Sequence, residues 1–112
     1  TDDAIAQAGI IESEVLKMVA GMAIHYLNDV KAKVAGGTEP QTKINHSMSE
    51  AYAFIYGIQF VNNSPMSSTD INNLLAGIDA DFQGFSQSVV LINAVIDQIA
   101  AETELDSVKS DL

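Results

Sequence analysis

The strongest constraint on the fold is the helical spacing of apolar residues between Ala4 and Val34. One stripe runs through Ile11, Val15, Met18, Met22 and Tyr26, and a second through Leu16, Val19, Ala23, Leu27, Val30 and Val34. Because residues three and four apart share a helix face, the stripes predict one helix with a broad apolar face. At 1.5 Å per residue this helix is about 45 Å long. Gly36 or Gly37 can take the left-handed conformation that ends it, and Pro40 blocks its continuation.

A second helix is predicted over residues 45–61, where the sequence "AYAFIYGIQFV" is apolar nearly all round. Its length and its lack of a β-branched majority favour a buried central helix over a strand. The third helix is predicted to begin at Ser67, which forms a capping box with Asp70, and to run to about Leu75. Met66 and Ile71 stand where the apolar pair beside such a cap is expected.

The last helix is predicted to begin at Ser86, with Phe85 and Val90 as the apolar pair beside its cap. Its expected buried face consists of Val89, Ile92, Ile96 and Ile99. The preceding "DADFQGF" is expected to be a loop, and the charged residues 102–112 a frayed tail. The fold class that follows is all-α, a four-helix bundle-like domain with one long N-terminal helix, and the 112 residues suit a single domain.

Charge excludes several classes of partner. The chain holds 15 acidic residues against five lysines and no arginine, for a net charge of −10. Nucleic acids and anionic membrane surfaces require cationic groups, so neither is an expected partner. No run of 18 apolar residues exists, so no transmembrane segment is predicted. The chain begins without methionine or a signal peptide, which is typical of a processed chain or an excised segment.

His46 and Glu50 form the strongest candidate site, for a divalent metal such as iron or zinc. If the second helix begins before His46, the two side chains share one face at i and i+4, a spacing that suits a cation. His25, the other histidine, could supply a third ligand if the first two helices pack antiparallel. The alternative is a capping box in which Ser47 is the N-cap and Glu50 binds back to it, leaving His46 outside the helix.

Other chemistry has less support in the sequence. "DADFQG" places Asp79, Asp81 and Gln83 at positions 1, 3 and 5 of a calcium loop, but position 12 is Val90 where a bidentate glutamate is required. An acidic surface loop is therefore preferred. The motifs H-E-x-x-H and G-x-S-x-G are absent, and with them the usual frameworks for hydrolytic catalysis.

The strings "GMAIHYLNDV" and "HSMSEAYAFIYGIQF" resemble the imelysin-like helical proteins of bacterial envelopes. Within that group the chain resembles most a branch of envelope lipoproteins that share a domain of unknown function, DUF4856. The matching elements are Tyr26-Leu27-Asn28, His46 with the stretch from Glu50 to Phe54, and the segment from Ser68 to Leu75. The resemblance covers about residues 12–100.

This resemblance implies a periplasmic or lipid-anchored protein at the bacterial outer membrane, connected by analogy with iron uptake. It also implies that the chain is the C-terminal half of a longer protein. Some imelysin relatives carry a G-x-H-x-x-E motif and are grouped with metallopeptidases. This chain departs from that motif, since Ile44 replaces the glycine and Glu50 lies four residues after His46, not three.

The favoured interpretation is a non-enzymatic, extracytoplasmic domain that binds a ligand or partner, with His46, Glu50 and His25 as candidate contacts. One alternative is a metal-dependent hydrolase of imelysin type. The other is a structural interaction module without a small-molecule site. Its apolar helix face would dock on a second copy or on a missing half-domain.

Overall fold

A computed structural model describes all of residues 1–112 and contains five α-helices and no strand. The helices are α1 (Asp2–Gly36), α2 (Gln41–Ile58), α3 (Ser68–Ala80), α4 (Phe82–Ser86) and α5 (Val89–Glu102), and a 3₁₀ turn spans Lys109–Asp111. The all-α prediction is confirmed, with one short helix more than the four expected. None of the helices has the length and apolar composition needed to cross a membrane.

Helix α1 extends over almost the full 55 Å length of the molecule. The hydroxyl of Thr1 caps its start, with Asp2 and Asp3 favourably placed in the first turn. Gly37 ends the helix in the left-handed conformation, with φ 69°, which confirms the stop predicted from the glycine pair.

Helix α2 returns antiparallel along the second half of α1. Val19 lies against Gly57, the ring of Tyr26 stacks on Phe54 at 5.8 Å, and Ser47 bonds to Asp29. Residue numbers along α1 therefore increase in the direction in which residue numbers along α2 decrease, as antiparallel packing requires. The core between the helices is apolar and fully buried, and includes Ala23, Ile24, Leu27, Val30, Met48, Ala51, Ile55 and Ile58.

The bounds of α2 differ from the predicted 45–61. Pro40, with φ −68°, stands just before the first turn, where its missing N–H costs nothing, so the helix begins at Gln41. Ile44, on the added turn, is buried in the core. At the other end the chain turns after Ile58, and Asn63 takes a left-handed φ of 58°.

The capping box of Ser67 and Asp70 is confirmed, with both reciprocal hydrogen bonds present. Helix α3 continues beyond Leu75 to Ala80, because Ile78 adds one more buried turn. The loop predicted over "DADFQGF" is therefore wrong. Asp81 ends α3 and at once caps α4, accepting a hydrogen bond from the backbone N–H of Gly84 at 3.0 Å.

The predicted start of the last helix is also wrong. Ser88, not Ser86, caps α5, while Ser86 is buried in α4 and donates to the carbonyl of Gln83 at 2.8 Å. Val90 is exposed, so no apolar pair forms with Phe85. Of the expected buried face, Ile92, Ile96 and Ile99 are buried, but Val89 is exposed.

The C-terminal tail packs against the domain, contrary to the expected fraying. Thr103 and Leu105 are buried. The side-chain amide of Asn28 donates to the carbonyls of Lys109 at 2.9 Å and Leu112 at 3.2 Å. The tail thus lies on the side of α1 that also contacts α5, and away from Phe54.

Candidate functional site

His46 and Glu50 lie inside α2, on one face, as the metal hypothesis requires. His46 Nε2 is 4.0 Å from Glu50 Oε1, and their side chains are 78% and 41% exposed. Because the helix begins five residues before His46, the alternative in which Ser47 caps the helix is wrong. The structure thus brings two of the three predicted ligands together at the surface.

Ser47 instead forms part of a polar cluster between α1 and α2. Its buried hydroxyl donates to Asp29 Oδ2 at 2.6 Å and accepts from Lys33 Nζ at 3.1 Å, while Lys33 also pairs with Asp29. Partial burial of Asp29 opposes its ionisation, but the hydrogen bonds from Lys33 and Ser47 prevail and lower its pKa below 3.8. The cluster joins the two helices beside the candidate metal ligands.

An open cleft of about 450 Å³ adjoins this cluster. It is lined by Lys33, Glu39, Thr42, Lys43, His46 and Ser47. Lys43 forms an ion pair with Glu39 at 3.6 Å. Because Lys33 is paired with Asp29 and Lys43 with Glu39, the cleft offers no uncompensated negative charge that would attract a cation to His46. The spacing of His46 and Glu50 therefore favours a metal, whereas the charges of the adjoining cleft do not.

His25 is exposed on α1, where its ring packs edge-on against Tyr26 with centroids 5.2 Å apart. It forms no ion pair or hydrogen bond with His46 or Glu50. Nowhere in the chain do three or more histidine, aspartate or glutamate side chains gather where they could hold a metal ion. Any cation at His46 and Glu50 would take its remaining ligands from water or from a partner.

The acidic stretch "DADFQG" has structural partners. The hydroxyl of Tyr52 donates to Asp79 Oδ2 at 3.0 Å, which ties α2 to α3, and Asp81 caps α4. Burial and then the hydrogen bond to Asp79 raise the pKa of Tyr52 above 10.0. These contacts account for two of the three side chains that resembled a calcium loop.

An exposed apolar surface lies on the first half of α1. Helix α2 covers α1 only from about Val19 onward, and residues 1–11 are all exposed. We call residues 2–18 the arm. A row of apolar residues follows one face of the arm and extends one turn beyond it, to Met22. We call this row the arm stripe, and it consists of Ala4, Ala8, Ile11, Val15, Met18 and Met22.

The arm stripe is exposed along most of its length. Ile11 and Met18 are 63% and 62% exposed, Val15 is also exposed, and Met22 is half-buried. Beyond Met22 the row leads to Tyr26, which is partly covered by Phe54. Ile5 and Ile10 are exposed outside this row. The sequence predicted this row from Ile11 to Met22, but which part of it remains uncovered depends on how far α2 reaches along α1.

Two smaller concavities complete the surface. A polar cleft of about 300 Å³ lies where the arm meets the α2–α3 connection, and there Asn62 and Asn63 donate to Glu12 at 2.7 and 2.9 Å. A shallow groove of about 230 Å³ between α3 and α5 is lined partly by Leu74 and Leu91. Neither concavity contains a buried polar group without a partner.

Comparison with known proteins gives one match. The family model described as a domain of unknown function, DUF4856, matches residues 2–105, which is nearly the whole chain. No curated protein and no solved structure matches it.

Proposed function

The chain belongs to the DUF4856 family, and we propose that it is a partner-binding helical domain that docks through the arm stripe, not an enzyme. The observation that carries this proposal is the exposure of Ile11, Val15 and Met18 on a helix whose residues 2–11 are all exposed. Contiguous apolar surface of this kind is typical of interaction sites in soluble proteins.

Energetics support a docked arm. Fully burying a side chain such as Ile11 or Met18 contributes roughly 1.5–3 kcal/mol, so a partner that covers the stripe gains several such contributions. An isolated helical segment of about 15 residues is only marginally stable in water. A partner would therefore also stabilise the arm as a helix.

Photo-crosslinking in the native host tests the proposal. A photoreactive residue at Met18 is expected to give one discrete adduct of higher mass, because this position faces the partner. The same residue at Ala6, an exposed position on the other side of the arm, is the matched control and is expected to give none. Absence of any adduct at Met18, or equal adducts at both positions, would overturn the proposal.

A second candidate function is weak binding of a divalent cation, iron or zinc, by His46 and Glu50. The i, i+4 pair on α2 favours it, since an imidazole nitrogen and a carboxylate oxygen are common ligands of both metals. The adjoining cleft adds no free carboxylate to the pair, since Glu39 is engaged by Lys43. No contact in the structure favours the hydrolase alternative, which needs more protein ligands and an open coordination position.

Calorimetry of the metal-stripped chain with Zn²⁺ and Fe²⁺ tests this second candidate. Weak binding is expected in the native chain, and none in His46→Ala, because a lone carboxylate at the surface does not hold these ions. His25→Ala is the matched control. It leaves binding unchanged if the pair acts alone and weakens binding if His25 is the third ligand predicted from the sequence. No heat above background in the native chain would reject the metal site.

The location and the link to iron uptake rest on the resemblance to imelysin-like proteins. On that basis we propose that the protein lies at the bacterial cell envelope, in the periplasm or lipid-anchored at the outer membrane. Partner binding suits both positions. Fractionation of the native host, with detection in the envelope fraction, supports this assignment, and recovery only from the cytoplasm contradicts it.

A further inference from the structure

We infer that the partner of the arm stripe is a second copy of this chain, paired antiparallel along α1. The inference rests on the proposed function and identifies the partner that the arm takes. It follows from three features of α1, which are the spacing of the stripe, the distribution of charge along the helix, and the extent of the face left free by α2 and α5.

The spacing of the stripe is that of a coiled-coil seam. Its members are separated alternately by four and three residues, and the same spacing continues to His25 and Asp29. Ala8, Val15 and Met22 occupy the a positions of the heptad, and Ile11, Met18 and His25 occupy the d positions. In an antiparallel pair each a position faces a d position of the other helix. Val15 then meets Met18 of the second copy, Ile11 meets its Met22, and Ala8 meets its His25.

Charge selects the antiparallel direction. Residues 1–15 of the chain hold four carboxylates and no lysine, whereas residues 29–36 at the end of α1 hold Lys31 and Lys33 against one carboxylate, Asp29. Antiparallel pairing brings the acidic start of each α1 to the level of Lys31 and Lys33 of the other copy. Parallel pairing would place the two acidic arms side by side, which is repulsive.

The free face is long enough for this pairing. Beyond the arm, the seam continues on α1 through Met22, His25 and Asp29, of which His25 is exposed and the others half-buried. The C-terminal tail contacts α1 through Asn28, which flanks the seam on one edge, while Phe54 of α2 stacks on Tyr26 at the other edge. Each arm can therefore lie along the seam of the other α1 as far as the exposed His25, beyond which Asp29 is bound to Ser47 of α2.

Disulfide formation between single-cysteine variants tests the pairing, since the natural chain has no cysteine. Ala8→Cys and His25→Cys are mixed under mild oxidation, and the mixed disulfide is expected because the two positions face each other. Each variant alone is expected to remain largely unlinked. Ala6→Cys mixed with His25→Cys is the matched control and is expected to stay unlinked. Circular dichroism of every variant verifies that the helices are intact.

The other outcomes overturn the inference in distinguishable ways. A disulfide between two copies of Ala8→Cys would show parallel pairing and overturn the antiparallel arrangement. No disulfide in any mixture, together with a photo-crosslinked adduct at Met18 to a different protein, would overturn the second copy and leave the proposed function standing. No disulfide and no adduct would overturn both.

Discussion

Replacing Leu27 with alanine is expected to lower the free energy of unfolding by about 2–5 kcal/mol. Leu27 is completely buried in the core that α1 shares with α2. The substitution removes the transfer free energy of the lost methyl groups and leaves a cavity that close-packed neighbours fill only in part. Urea denaturation measures the loss as a lower transition midpoint with an unchanged slope.

Ile5→Ala is the control for this prediction. Ile5 is 72% exposed on the arm of the same helix, so its truncation is expected to change stability by no more than about 0.5 kcal/mol. If the Leu27 variant lost less than about 1 kcal/mol, the packing of the two helices against each other would be contradicted.

The parts of the fold that local sequence could predict are those that depend on local chemistry. The length of α1 follows from its unbroken apolar spacing, and its end follows from the glycine that takes a positive φ. The start of α3 follows from a capping box whose members are three residues apart and bind each other directly. In each case the decisive contact lies within a few residues along the chain.

The start of α2 could not be predicted in this way. Ser47 and Glu50 have the spacing of a capping box, but Ser47 is buried and bound to Asp29 and Lys33 of another helix. A serine that caps a helix and a serine that packs inside one are identical in local sequence. Only the antiparallel packing of α1 and α2 distinguishes them, and it also brings Lys33 into the cleft beside His46.

Local sequence was also insufficient to assign the helix caps between α3 and α5. Asp81 lies in a stretch that the sequence predicts to be an acidic surface loop, yet it caps a five-residue helix through the backbone N–H of Gly84. Ser86 and Ser88 are both plausible caps, and the buried position of Ser86 decides in favour of Ser88. Burial is a property of the assembled helices, so two serines that are nearly adjacent in sequence could not be separated beforehand.

The candidate surface was predicted in part. The apolar row through Ile11 and Met18 is visible in the sequence, which also predicts that an apolar helix face docks on a second copy or a missing half-domain but does not identify that face. What the sequence could not provide is the position where α2 stops covering α1. That position makes the first half of the row a surface and the second half mostly core.

The mass of the chain in solution, measured by sedimentation equilibrium, tests the central claim most directly. We expect a concentration-dependent species of twice the 11.9 kDa mass of one chain. The double variant V15E/M18E places four carboxylates at the centre of the paired seam, where they are desolvated and repel one another. It is expected to weaken association at least about 100-fold, while remaining helical.

The matched control adds the same charges to the same helix outside the arm stripe, through Ala6→Glu with Ile10→Glu, two exposed positions. This variant is expected to associate almost as the native chain does. A dimer in the native chain and in the control, with a monomer for V15E/M18E, is the predicted result. A native chain that sediments as a monomer at every concentration, or a V15E/M18E variant that pairs as tightly as the control, would contradict self-association through the arm stripe.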